Sequence, residues 1–326
     1  MTEPDFIDVL KKGCQNDLLP QTRIHQLPEF GHSRADVWVK REDESGFGIS
    51  GCKKRKYASL IPWLLRERPP LVVLTGGAVS NHIVGFTQLL IENGVPFRLY
   101  LRQTGSSPQH GNALLRHLLA AEDQIRWVST KEWPQVLSLA QREQPDALIL
   151  PEGGEHPMAL PGACTLWGDI RRNEQELGVT FDHIFIDSGT AFVAGALLGM
   201  KQLFRMETKL HIVLTAGDDT FFRQQYQKLQ DWSAETLPSP FPDYENEHAT
   251  FSPPLTAKSF GAVNRTVKDY LQELARRYGL LTDPIYTAKL FQTAESIIKT
   301  RQLHGRILII HSGGGTGLMG FGTEDF

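Results

Sequence analysis

The stretch that decides the fold is "LVVLTGGAVSNH", residues 71–82. Its apolar run shows no polar alternation, which is the pattern of a strand covered on both faces, as in a parallel sheet. Two glycines end the run. Ser80 and Asn81 then open a helical pattern that runs from 80 to 93, and both are favoured helix caps. A strand, glycine turn and helix cannot bury themselves alone, so the same unit should recur. The opening run, taken as "PPLVVLTGG" (69–77), is one strand candidate; others are "DVWVK" (36–40), which alternates, "PFRLYL" (96–101), "DALILP" (146–151), "HIFID" (183–187), "KLHIVLT" (209–215) and "RILIIHSGGG" (306–315). Helical patterns fall between them at 109–121, 157–177, 193–206, 263–279 and 286–304. This alternation predicts an α/β chain with mostly parallel open sheets flanked by helices. Residues 216–259 break the pattern: a weak helix at 220–232, then a Pro-rich, aromatic segment read as irregular.

The chain has 326 residues, a formal net charge of −3, 40% hydrophobic and 22% charged residues. This composition is that of a globular protein. The charge argues against a general nucleic-acid binder, which needs a clustered basic surface. Three widely spaced cysteines, Cys14, Cys52 and Cys164, suit a reducing compartment better than a disulfide framework. No CxxC or HExxH occurs, so no metal site is expected. The acidic, mixed N-terminus is no signal peptide, and no apolar run reaches membrane-spanning length, so a cytoplasmic location is expected.

Four segments carry chemistry. "SGCKKRKY" (50–57) places Lys53, Lys54, Arg55 and Lys56 in a row at a helix start. The run could be a solvated helix end, a nucleic-acid patch, or an anion site with one lysine in covalent chemistry. "LTGGAVSNH" (74–82) puts Ser80, Asn81 and His82 in a first helical turn, where free N–H groups and the positive dipole end lie; plain capping would also explain Ser80 and Asn81. "IDSGTAFVAG" (186–195) and "IIHSGGGTGL" (309–318) are further strand-to-glycine turns. Neither matches a dinucleotide or nucleoside-triphosphate fingerprint. Three such turns with the basic run suggest a small phosphorylated ligand.

The combination resembles a known family. "SGCKKRKY" is similar to GGNKxRKL of the fold-type II enzymes that use pyridoxal 5′-phosphate (PLP), in the 1-aminocyclopropane-1-carboxylate (ACC) deaminase and D-cysteine desulfhydrase group. "GGAVSNH" resembles GGxxSNH, "QHGNALLRHLLAAE" (109–122) resembles GNLLLxxLLGA, "DPIYTAKLF" (283–291) resembles DPVYTGKA, and "HSGGGTGL" resembles HTGGxxGLF. The five run in the same order from about residue 35 to 321.

The resemblance implies a two-domain, tryptophan synthase β-like fold. Residues 1–52 and 156–326 would form the large phosphate-binding domain, and 53–155 a smaller inserted one. Lys53 matches the Schiff-base lysine, because an aldimine needs a nucleophilic amine. Lys56 matches a phosphate contact, with Lys54 and Arg55 as solvated neighbours. Ser80 matches the hydroxyl near the substrate carboxylate, and Asn81 the donor to the cofactor's phenolate oxygen. Gly189, Thr190, Ala191 and Phe192 match the phosphate loop, and Tyr286 the active-site tyrosine. Thr287 and Ser312 match positions facing the pyridine nitrogen. Hydroxyls there imply a ring less protonated than a carboxylate would make it, which suits β-elimination. The ACC deaminase branch has glutamate and leucine at these two positions, whereas the desulfhydrase branch has hydroxyls at both. Cys52 stands where the family has asparagine. Phe260, in "KSFGAV" (258–263), stands where it has a second tyrosine. The expected activity is D-cysteine desulfhydrase-like elimination on a small amino acid, giving an oxoacid and ammonia, by a homodimer. The alternatives are ACC deamination, a PLP-binding protein with little catalysis, and a phosphate-binding protein without PLP.

Overall fold

The computed structural model describes residues 1–32, 35–104, 110–244 and 249–326. Among the described residues, ten strands form two sheets. The six-stranded sheet contains Ile24–Gln26 (β1), Asp36–Arg41 (β2), His183–Ser188 (β7), Lys209–Leu214 (β8), Ala249–Ser252 (β9) and Arg306–His311 (β10), in the order β1-β2-β10-β7-β8-β9. Only the β1–β2 pair is antiparallel; β2, β10, β7, β8 and β9 run parallel. The four-stranded sheet is wholly parallel. It contains Val72–Gly77 (β3), Phe97–Arg102 (β4), Ile125–Val128 (β5) and Leu148–Leu150 (β6), in the order β5-β4-β3-β6.

The period of two along each strand decides which core it feeds. Ile184, Ile186, Leu308 and Ile310 face one way, into a core shared with Val72 and Leu74 of the other sheet and with the helices Cys52–Glu67 (α2) and Leu160–Leu177 (α6). Phe185, Ile307 and Ile309 face the other way, onto Leu274 of Arg265–Tyr278 (α9) and Leu290, Phe291 and Ala294 of Thr287–Thr300 (α10). Val73 and Tyr100 point to the outer face of the small sheet, under Val136 and Leu139 of Val136–Glu143 (α5). One core therefore joins both sheets through α2 and α6.

These two helices approach closely at Gly162. A Cβ there would stand 2.0 Å from the Arg55 carbonyl oxygen, and the Gly162 N–H donates to Ser59 Oγ at 3.0 Å. Only glycine fits that crossing.

All seven expected strands form. The short strands β1, β5 and β9 were not expected, nor were α5 and the N-terminal helix Glu3–Lys12 (α1). The weak helix expected at 220–232 extends over Asp219–Thr236 (α8), and β9 runs through the segment read as irregular. The helix expected at 109–121 covers Asn112–Leu119 (α4), and residue 109 lies outside the described residues. Among the described residues, no helix is long and apolar enough to cross a membrane.

Candidate active site

The loops after β7 and β10 leave the carboxyl edge of the large sheet side by side, and the N-terminus of α2 is pinned against the second. The Cys52 N–H donates to the Ser312 carbonyl oxygen at 2.9 Å. Gly51 has φ +69°, and a Cβ there would stand 2.3 Å from that same oxygen. Glycine is needed at 51 on both counts. Lys53 follows two residues later, in the first turn of α2.

Lys53 Nζ lies 5.8 Å from the centre of the Tyr286 ring, within cation–π range. On its other side, Tyr286 closes on Gly189, where a Cβ would stand 3.2 Å from the tyrosine Cε1. The turn that carries Tyr286 is held by Asp283, a buried carboxylate. It accepts the N–H groups of Ile285 and Tyr286 at 2.9 Å, that of Thr287 at 3.2 Å, and the Thr287 hydroxyl at 2.8 Å. Thr287 is thus fully buried and committed to its own turn. Burial, then the charges of Asp283, Asp187 and Glu152, push the Tyr286 phenol up, so it stays protonated.

Lys56 is 2% exposed. Its Nζ donates to the Gly153 carbonyl oxygen and sits 4.9 Å from the Phe192 ring centre. Burial first, then Lys53, lower its pKa, against an opposing pull from Glu155. Phe192 begins the helix Phe192–Leu203 (α7), and Ala191 before it is left-handed at φ +65°. The first turn of such a helix has N–H groups without intrahelical acceptors, aimed at any anion beside it. The Thr190 hydroxyl hydrogen-bonds Glu155.

Ser80 caps the helix Asn81–Glu92 (α3), accepting the His82 N–H at 3.2 Å and keeping its own proton to give. Asn81 Oδ1 accepts Asn112 Nδ2 at 2.7 Å and the Thr316 hydroxyl at 3.2 Å, which fixes the amide and leaves Nδ2 as a donor. His82 is buried and held neutral by that burial and then by Lys56 and Lys53; its Nδ1 lies 3.0 Å from the Tyr57 hydroxyl.

The fold therefore brings Lys53, Tyr286 and Gly189 together, and Lys56 beside Phe192. Ser80 and Asn81 stand at the start of α3, which Thr316 ties to the β10 loop, and Ser312 stands where Gly51 and Cys52 meet that loop. Cys52 is buried, and burial pushes its thiol well up, so it packs as an inert apolar group. Phe260 is 62% exposed and sets its ring edge-on, 6.0 Å from that of Tyr286.

Two residues correct or extend the sequence reading. Arg55 is not a solvated neighbour: it is 1% exposed, with Nε 2.8 Å from Glu42 Oε2 and Nη2 2.7 Å from Glu42 Oε1 and 2.8 Å from Asp169 Oδ2. Lys40 shares Asp169 and donates to Asn173 Oδ1 at 2.6 Å. Asp187 was not singled out. It is the penultimate residue of β7, beside Ser312, whose hydroxyl donates to its carboxyl. The signal was present: "HIFID" is an apolar run ending in a lone acid.

No family model matches the chain. Named relatives align over nearly all of it. A putative ACC deaminase of Pyrococcus furiosus is 27% identical over 332 aligned residues, covering 98% of both chains. A D-cysteine desulfhydrase of Serratia proteamaculans is 24% identical, covering 93% of both. Among solved structures, an ACC deaminase homologue superposes with a TM-score of 0.84 at 24% identity, covering 99% of this chain and 98% of that one. The fold is that of the fold-type II enzymes, and the resemblance read from the five motifs extends along the whole chain.

Proposed function

We propose, from this kinship with the ACC deaminases and D-cysteine desulfhydrases, that the chain is a PLP-dependent lyase eliminating a β-substituent from a small amino acid, D-cysteine first among them. The observation that supports the reading is the closeness of the Lys53 amine to the Tyr286 ring, which in turn packs on Gly189 just before the α7 N-terminus. In this reading residues 1–52 and 156–326 form the large domain and 53–155 the smaller inserted one.

The residues fit PLP. The first-turn N–H groups of α7, from the Gly189–Phe192 loop, and Lys56 would hold the phosphate. Lys53 offers the primary amine for the aldehyde carbon. Asn81 Nδ2 offers a donor for the phenolate oxygen, and its Oδ1 is already taken. When bound, PLP supplies an electron sink for the pair left as the α-proton departs. Lys53 Nζ, once released, takes that proton. The Ser80 hydroxyl has a free proton for the substrate carboxylate. Tyr286 keeps its phenolic proton at the pH of turnover and can give it to the leaving group. Phe260 shields one side of the Tyr286 ring from water. Thr287 and Ser312 stand where the deaminase branch has glutamate and leucine, but the Thr287 hydroxyl is spent on Asp283 and that of Ser312 on Asp187.

A purified protein that absorbs in the visible, and that borohydride modifies at Lys53 as located by peptide mass, supports the cofactor assignment. Release of oxoacid and ammonia from D-cysteine supports the substrate. Release of 2-oxobutyrate from ACC instead would favour the second reading, to which the name of the Pyrococcus relative points. A colourless protein that takes up no added PLP overturns both.

A further inference from the structure

We propose that Asp187, backed by the Ser312 hydroxyl, is the anionic partner of the cofactor's ring nitrogen and holds it in the protonated form. The inference rests on the PLP reading above and deepens it.

Asp187 Oδ1 is shut off from solvent and has no hydrogen-bond partner among the described residues. A buried acceptor left unpaired costs about 1–3 kcal/mol, and such atoms are rare enough in native proteins to require a reason. The groups around it do not supply one. The Ser312 hydroxyl and the residue's own backbone N–H are donors already given to the carboxyl, Asp283 is a second carboxylate, and Lys53 is the amine reserved for the aldehyde carbon. Tyr286 is kept protonated first by its burial and then by the carboxylates of Asp283, Asp187 and Glu152, and burial likewise keeps the neighbouring Cys52 thiol protonated.

The missing donor must therefore arrive with the ligand, and PLP has few ways to provide it. Its phosphate and phenolate oxygens are anionic acceptors, which a carboxylate repels. Its methyl group is apolar, and its aldehyde carbon goes to Lys53. The ring nitrogen alone can present an N–H, and only as the pyridinium. Burial already raises the Asp187 carboxyl to about 6 in the free pocket; a pyridinium alongside would restore its charge. The two hydroxyls at Thr287 and Ser312 then do not leave the ring weakly protonated, because a carboxylate stands behind one of them. The electron sink is correspondingly stronger, and the site can remove an α-proton before the leaving group departs.

The test is to load wild-type protein and Asp187→Asn with PLP carrying a 15N ring nitrogen and to read its NMR shift. The wild type should show the pyridinium position, Asp187→Asn should move toward the neutral pyridine position, and Asp187→Glu should restore it. Equal shifts in wild type and Asp187→Asn, or a neutral ring in the wild type, overturn the proposal. A second reading needs no variant: the wild-type signal should stay at the pyridinium position from mildly acidic to mildly alkaline pH, and a ring that titrates in that interval overturns it. Failure of wild-type protein to take up PLP at all defeats the cofactor reading as well, whereas bound PLP with a neutral ring defeats this inference alone.

Discussion

Lys53 holds its Nζ 5.8 Å from the centre of the Tyr286 ring, so the one amine proposed for covalent chemistry shares its space with a phenol kept protonated. Tyr286→Phe separates the ring from its proton. The ring should still pack on Gly189 and Lys53, so PLP retention should be unchanged. If the phenol delivers a proton in turnover, kcat should drop roughly 10²–10⁴-fold. Full activity in a folded, cofactor-loaded Tyr286→Phe would remove the hydroxyl from the mechanism.

Arg55 joins α2 to Glu42 and to Asp169 of α6. Burial alone would lower its pKa, yet these carboxylates keep it charged; likewise burial would raise Asp169, but Arg55 and Lys40 hold it well below the usual carboxylate range. Arg55→Met leaves Glu42 with Lys40, and Asp169 with Lys40 and the partly exposed Arg172. Breaking one side of a buried pair costs about 3–5 kcal/mol. The urea midpoint should fall accordingly, and a variant as stable as wild type would show that the charges are solvated.

Gly162→Ala places a methyl 2.0 Å from the Arg55 carbonyl, a backbone atom with no rotamer to change. Overpacking of this kind costs about 1–3 kcal/mol. Because α2 carries Lys53, the shift should also weaken PLP binding. A thermal midpoint at the wild-type value with unchanged PLP affinity would contradict the tight crossing.

Asp187 gives a pH dependence whose sign can be worked out for the cofactor-free protein. Its folded-state value of about 6 is raised first by burial, eased by the Ser312 hydroxyl, raised again by Asp283 and eased by Lys53. An exposed aspartate titrates near about 3.9. Between these values the unfolded chain is ionised and the folded one is not, so stability falls as pH rises through the window and stays reduced above it. Asp187→Asn should therefore stabilise the protein by roughly 1–3 kcal/mol at mildly alkaline pH, and by nothing once pH falls below both values. Denaturation midpoints at the two pH values decide it: an equal difference at both would show that the carboxyl does not titrate in this window.

Much of this was legible in the sequence, for identifiable reasons. Six of the seven expected strands have six residues each, and most declare themselves by apolar runs because both faces are covered; β6 has only three, but its apolar run stops at Pro151. β1 has three residues and β5 and β9 four each, and these leave too little pattern to read. α1 is readable from Thr2, Pro4 and the apolar Phe6, Ile7 and Leu10, although its ten residues hold only three buried side chains. The Lys53–Tyr286 pairing came through matched motifs. Arg55 did not, because Glu42 and Asp169 lie 13 and 114 residues away and ion pairing leaves no periodic trace. Asp187 was written in the open and passed over, since a single acid after an apolar strand also reads as a simple strand end.

The four consecutive cations of α2 have one more consequence. A helix turns by about 100° per residue, so four in a row face four different directions. Lys53 looks toward Tyr286, Lys54 reaches the Ser45 carbonyl at 2.9 Å, Arg55 is sunk between two carboxylates, and Lys56 donates to Gly153. What looks like a cluster in one dimension is dispersed in three. Each charge has a separate addressee, and no common positive surface is left for a polyanion to grip. A heparin column should pass this protein at physiological salt, however basic the octapeptide looks on paper.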